Sequence, residues 1–200
     1  LSELVSGIIH PTIRIENNQN LIEQFVMIGD YASDFLRVLS ERFNNVYVYV
    51  CPGNHSRLFQ NKEQELRGEN MDILVMPYLR ARLRDFYNVH IVDNVNDELV
   101  AEFEVRGHRV CALHGDKATM QDVTSKITRY LGYIPDIIYM GHMHTNAMLT
   151  DGTTKVIQGG SFVGTGDEYT MNRMLRGKPE QVVTIVGDDG IECNYDVRLY

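Results

Sequence analysis

Between Asn20 and Phe43 the apolar residues Leu21, Phe25, Ile28, Ala32, Phe35 and Leu39 recur at steps of three and four. That spacing is one face of an α-helix. Asn20 stands at its start with Glu23 three residues on, the pattern of a capping box. From Val46 to Cys51 the pattern changes to an almost unbroken apolar run, "VYVYVC", which predicts a strand buried on both faces. Asp72 to Phe86 returns to helical period. Val89–Val92, Leu99–Val105 and Arg109–Leu113 read as strands, the middle one alternating. Thr119–Leu131 reads as a helix and Asp136–Met140 as a short buried strand. Beyond Asn146 the chain is mostly strand, with Lys155–Gln158, Gln181–Val186 and Ile191–Arg198 as the clear runs. "GDDG" at Gly187–Gly190 predicts a hairpin turn between the last two. The polar stretch Gln60–Asn70 predicts a mobile loop.

Composition narrows the class. Two hundred residues suit one well-cored domain, so residues 1–200 are read as a single domain. No apolar run approaches the roughly 20 residues of a membrane span, and no signal peptide is visible, so a cytoplasmic protein with no membrane partner is expected. Cys51, Cys111 and Cys193 are odd in number and far apart. The first two lie inside apolar runs, which favours reduced, buried thiols over a disulfide framework. A net charge of −8 argues against a simple electrostatic nucleic-acid binder. It leaves room for an enzyme whose metal ions bring positive charge locally. The chain starts without Met and in mid-pattern, which reads as a fragment.

Three places share one arrangement: an apolar strand that ends in Gly or His and releases ligand-type side chains. They are Gly53-Asn54-His55 after "VYVYVC", His114 after Val110–Leu113, and His142 and His144 in "IIYMGHMHT". Open α/β sheets bind ligands beyond the carboxyl ends of their strands, so these residues are expected at one edge. Neutral imidazole suits divalent transition metals, and an Asn carbonyl adds a hard, uncharged ligand. His-x-His in an extended segment would send both rings to the same side, and glycine before each group permits a tight turn. A single His near a strand end is ordinarily hydrogen-bonded or exposed, and His10, His90 and His108 are read that way. The ordered set is far more specific than any one of its members.

That set resembles the calcineurin-like metallophosphoesterase superfamily, and within it the DNA-repair exonuclease type of bacteria and phages. The resemblance covers roughly Leu4 to Ser161. It implies an α/β fold, an α+β sandwich of two mixed sheets flanked by helices, with two divalent ions at the strand ends. Manganese is the first expectation, with Fe, Ni, Zn or Mg as alternatives. Carried over residue by residue, Asn54, His114 and His142 would bind one metal and His144 the other. His55 would stabilise the transition state or protonate the leaving oxygen. "GGSF", Gly159–Phe162, resembles the family's Gly-Ser segment.

The departures are specific. The superfamily's first-strand Asp-x-His has no counterpart here, so the chain is read as an N-terminally truncated fold holding one metal firmly. The Gly-Asp whose Asp bridges both metals has two competing placements. Gly29-Asp30 has the right letters but falls in the middle of a helical period. "LSELVSGIIH" resembles the nuclease-type pattern, with Ser2 and Glu3 standing at the Gly-Asp positions, and this placement is the one carried forward. After Asn-His the family commonly has an acidic residue; here Ser56 and Arg57 follow. Ser56 can orient His55, and Arg57 can hold a phosphate oxygen of the substrate. Arg80 and Arg84 share one helical face with Arg82 largely opposite, ordinarily a solvated pattern. The nine methionines read as packing.

The expected function is therefore a metal-dependent phosphodiesterase or nuclease acting on DNA by two-metal hydrolysis, in a bacterial or phage-infected cytoplasm, with a homodimer left open. The alternatives are a degenerate, non-catalytic metal-binding or interaction module of the same fold, and a small-molecule phosphatase.

Overall fold

The computed structural model describes residues 1–166, 168–172, 174 and 177–200. The chain divides into two compact units, Leu1–Ala101 and Glu102–Tyr200. It is an α/β protein with several sheets and flanking helices, as the sequence predicts; among the described residues the strands form three sheets.

In the first unit an irregular N-terminal segment leads to α1 (Pro11–Glu16), α2 (Leu21–Ser40), β1 (Val46–Val48), α3 (Met71–Arg82) and β2 (Val89–Ile91). The predicted capping box opens α2: the Asn20 side chain accepts from the backbone of Ile22 and Glu23, and Glu23 accepts from the Asn20 N–H. The buried face of α2 is Phe25, Gly29, Ser33 and Leu36, with Leu21, Ile28, Ala32 and Leu39 half-buried beside it. Phe35, predicted to face the core, is exposed. The reason is α3, whose Tyr78 ring lies against Gly29, where a Cβ would sit 2.6 Å from the ring. That contact turns α2 toward its small residues. Val46 and Val48 pair in parallel with Val89 and Ile91, and their side chains join Phe25, Leu36, Val75, Leu79 and Leu83 in one core cluster. Full burial of each such aliphatic side chain is worth about 1.5–3 kcal/mol.

Strand β1 is three residues long rather than the predicted six. Beyond it the chain still finds partners: the Cys51 N–H donates to the Leu1 carbonyl, Leu1 N donates to the Tyr49 carbonyl, and Asn94 donates to the Val50 carbonyl. The loop after Gln60 contains one short 3-10 turn, Lys62–Gln64.

The second unit is built on a five-stranded sheet of order β3-β4-β5-β7-β6, where β3 is Val100–Val105, β4 His108–Leu113, β5 Ile137–Met140, β6 Ala147–Asp151 and β7 Thr154–Gln158. Strands β4, β5 and β7 run parallel, and β6 runs antiparallel to β7. One face of the sheet, Val110, Ile137 and Ile157, packs with Val182, Val186 and Ile191 of the predicted hairpin, β8 (Glu180–Gly187) and β9 (Gly190–Arg198). The alternate residues Cys111, Ile138 and Val156 are fully buried as well. Burial on both faces explains why β4 and β5 read as continuous apolar runs. Two helices complete the unit, α4 (Val123–Leu131), which starts four residues later than predicted, and α5 (Glu168–Asn172). All three cysteines are free thiols, with Cys51 and Cys111 buried.

Candidate metal centre

In the second unit the parallel register pairs Leu113 with Met140, the last residues of β4 and β5. Pairing runs one step further, with the Gly141 N–H donating to the His114 carbonyl at 2.8 Å. His114 and His142 are thereby delivered side by side. His114 Nε2 lies 3.1 Å from His142 Nδ1, and the rings meet edge to face with centroids 5.1 Å apart. Two imidazole nitrogens bound to one ion at 2.0–2.1 Å stand about 3.0–3.4 Å apart. The observed spacing fits that demand, and the donor type fits a divalent transition metal. His114 is 3% exposed, so its ring sits in the interior beside the His142 ring.

The segment that carries His142 and His144 is a run of bends, not the extended strand that the His-x-His argument assumed. Both histidines take left-handed backbone angles, φ +68° and +59°. A non-glycine residue there costs roughly 1–2 kcal/mol. Hydrogen bonds to neighbouring strands hold the bends in place. Gln158 donates to the Thr145 carbonyl, and Asn146 donates to the Gln181 carbonyl. Asn146 also accepts from the Gly160 N–H at 2.7 Å, so the Gly-Gly-Ser stretch serves as its clamp.

In the first unit the turn after β1 presents Asn54 and His55, both half-buried. The Glu3 carboxylate reaches this turn, and its Oε1 accepts from the His55 N–H at 2.9 Å. Glu3 too has a left-handed backbone, φ +51°. Among the described non-glycine residues five have positive φ, and Glu3, His142 and His144 are three of them. Such backbone angles are costly and persist only where the surrounding structure holds them. Two glycines allow the close approach. A Cβ on Gly53 would lie 2.7 Å from the Glu3 Cβ, and one on Gly7 would lie 1.7 Å from the His55 carbonyl oxygen. The His10 ring meets the His55 ring edge to face at 5.1 Å, so His10 is a neighbour of the candidate catalytic imidazole.

The rival carboxylate, Asp30, has a different employment. It sits inside α2, accepts from the Tyr78 hydroxyl at 2.8 Å and pairs with Arg82 at 3.1 Å. Its glycine neighbour is explained by the Tyr78 ring. Arg57 closes its own loop, donating from Nε to the Phe59 carbonyl and from an Nη2 to the Gln60 carbonyl. Arg80 pairs with Asp93, whereas Arg84 lies beside Asp85 beyond the end of α3 and shares no helical face with Arg80.

Sequence reading missed Asp72. It is fully buried in the first turn of α3, and the backbone of Glu3, Leu4 and Gly53 and the hydroxyl of Ser56 all donate to it. Only a helix-period pattern marked its position, and that pattern is silent about polar partners 16 to 69 residues away.

Among curated proteins none matches the chain. Similar solved structures include a Thermotoga maritima protein determined by NMR, 12% identical over 83% of this chain and 87% of that one, with TM-score 0.48. Vps29 of Entamoeba histolytica complexed with Zn2+ is 15% identical over 82% and 88%, with TM-score 0.43. An archaeal phosphodiesterase is 15% identical over 80% and 87%, with TM-score 0.43. The sequence model of the calcineurin-like phosphoesterase superfamily domain matches residues 9–175. That match spans more than four-fifths of the sequence, and the chain belongs to the calcineurin-like phosphoesterase superfamily, a group of metal-dependent phosphoester hydrolases.

Proposed function

We propose that this protein is a metal-dependent phosphodiesterase, with DNA as its expected substrate. The observation that carries the reading is the pair of imidazole nitrogens 3.1 Å apart at the ends of two parallel strands. In this reading Asn54, His114 and His142 are ligands of one divalent ion, and His144 and Glu3 of a second. The ions, manganese by expectation, would supply Lewis-acid stabilisation of the phosphate and lower the pKa of water.

The chain's own residues do the rest. The His55 backbone N–H donates to Glu3, which fixes the turn, and the His10 ring packs edge to face against its imidazole. It holds a proton for the leaving oxygen, or stabilises charge on the phosphate by a charge-assisted hydrogen bond. Arg57 would offer its remaining donors to a phosphate oxygen. The net charge of −8 makes the metal ions the chief local attraction for a polyanion.

The test is hydrolysis of bis-(p-nitrophenyl) phosphate, p-nitrophenyl phosphate and linear duplex DNA by the purified chain, with Mn2+ and with chelator. Weak Mn2+-dependent cleavage of the diester and of DNA is expected, since a chain that holds one metal firmly activates water less than a metal pair does. Cleavage of the monoester alone would make the protein a small-molecule phosphatase. A second reading, a metal-binding module without turnover, is favoured by one observation: Glu3, at the bridging position, already accepts from the His55 N–H. Stoichiometric Mn2+ binding without hydrolysis of any ester would establish that reading instead.

A further inference from the structure

We propose that Asp72 is a positioning residue for this phosphoesterase site, a role that rests on the reading above. Its Oδ2 accepts from the Glu3 N–H at 2.8 Å and from the Gly53 N–H at 2.8 Å. Its Oδ1 accepts from the Leu4 N–H at 3.0 Å and from the Ser56 hydroxyl at 2.7 Å. One carboxylate thus ties the segment bearing Glu3 to the turn bearing Asn54 and His55. Neither of those segments is helix or strand; two backbone bonds, from Cys51 to the Leu1 carbonyl and from Leu1 to the Tyr49 carbonyl, join them upstream of Glu3 and Gly53.

Asp72 is itself held firmly. Its own N–H donates to the cap Asn70, the Met71 N–H donates to the Ser56 carbonyl, and the Asn70 amide donates to the Gly53 carbonyl. The first turn of a helix also favours a negative side chain. The result is a carboxylate held at the start of α3 from which the two irregular segments hang. The sequence has Ser56 where the superfamily commonly has an acidic residue after Asn-His. Here the carboxylate comes from α3 and is joined to that position through the Ser56 hydroxyl.

The residue type follows from counting. Four donors converge on two oxygens, which a carboxylate accepts and a carboxamide does not, because one of its two positions is an NH2. Asp72→Asn therefore turns its NH2 toward either the Glu3 and Gly53 N–H groups or the Leu4 N–H, and at least one backbone donor loses its acceptor. The core cluster of Phe25, Leu36, Val75 and Leu79 is untouched by that change.

The experiment uses the full chain, with circular dichroism confirming the fold of each variant. Asp72→Asn is expected to lower kcat for bis-(p-nitrophenyl) phosphate by up to about 10²-fold with KM little changed. Its Mn2+ affinity, read by electron paramagnetic resonance of free Mn2+, is expected to fall about 10–100-fold, as for other groups that orient ligands. Asp72→Glu should restore part of both. Should Asp72→Asn not fold, Ser56→Ala, which removes one donor, decides the matter and should show a smaller loss in the same two quantities. Folded variants with wild-type kcat and Mn2+ affinity overturn the role of Asp72 while leaving the proposed function standing. A wild type that neither binds Mn2+ nor cleaves any phosphoester overturns both.

Discussion

His114 and His142 present their Nε2 and Nδ1 atoms to each other at 3.1 Å, from the ends of adjacent parallel strands. The register of β4 on β5 sets that distance, since the Gly141 N–H still pairs with the His114 carbonyl after both strands have formally ended. That spacing is built into the register of the sheet. Substituting either ring should then remove a ligand without melting the sheet. His142→Ala is expected to lose more than the roughly 10–100-fold in Mn2+ affinity that outer groups command, with an unchanged unfolding midpoint in urea. Wild-type Mn2+ affinity in this variant would show that the two rings serve each other as a structural pair.

His55 stands apart from the ligands in the proposed mechanism. His55→Ala should keep Mn2+ content within error of wild type and lower kcat by roughly 10²–10⁴-fold, the usual worth of acid–base assistance. Parallel measurement of bound manganese and of diester turnover checks it. Equal loss of metal and turnover would make His55 a ligand.

Glu3 and Asp30 competed for one role in the sequence. Tyr78 and Arg82 occupy Asp30 in the middle of α2. Asp30→Asn should therefore leave Mn2+ affinity unchanged and cost only modest stability, whereas Glu3→Gln should weaken Mn2+ binding. The reverse outcome would return the bridging role to Asp30.

Gly7 lies at φ +69° with its missing Cβ pointing into the His55 carbonyl. Gly7→Ala should destabilise the protein by about 1–3 kcal/mol through overpacking, on top of roughly 1–2 kcal/mol for the left-handed backbone. Gly107, at φ +83° with nothing near its missing Cβ, is the control and should show the backbone cost alone. Urea unfolding of the two variants separates the contributions.

Burial pushes the Cys51 thiol above its ordinary pKa, so its reactive thiolate form is suppressed at neutral pH. Cys111 is fully buried, and Cys193 is half-exposed on β9. Titration of the native protein with Ellman's reagent should modify one thiol, identified by peptide mapping as Cys193, and three after unfolding in denaturant. Fast labelling of Cys51 in the native protein would contradict its burial.

Periodicity and short motifs carried much of the architecture. The capping box at Asn20 and Glu23, the hairpin at Gly187–Gly190 and the apolar runs of β4 and β5 were legible because each depends on residues close in sequence. So was the placement of His114 just past the end of β4 and of His142 just past the end of β5, since each follows directly on an apolar run. Tertiary structure decided what depends on distant partners. Tyr78 pressing on Gly29 turned α2 so that Phe35 faces solvent, a choice the helical period alone does not make. Backbone strain at Glu3, His142 and His144 has no mark in a residue string, because the bends are held by bonds to distant partners: Gln158 to Thr145, Asn146 to Gln181, and Glu3 to Asp72. Asp72 shows the limit most sharply: its letter sits in an ordinary helix start, and only the folded chain brings four donors, as many as 69 residues away, onto its two oxygens.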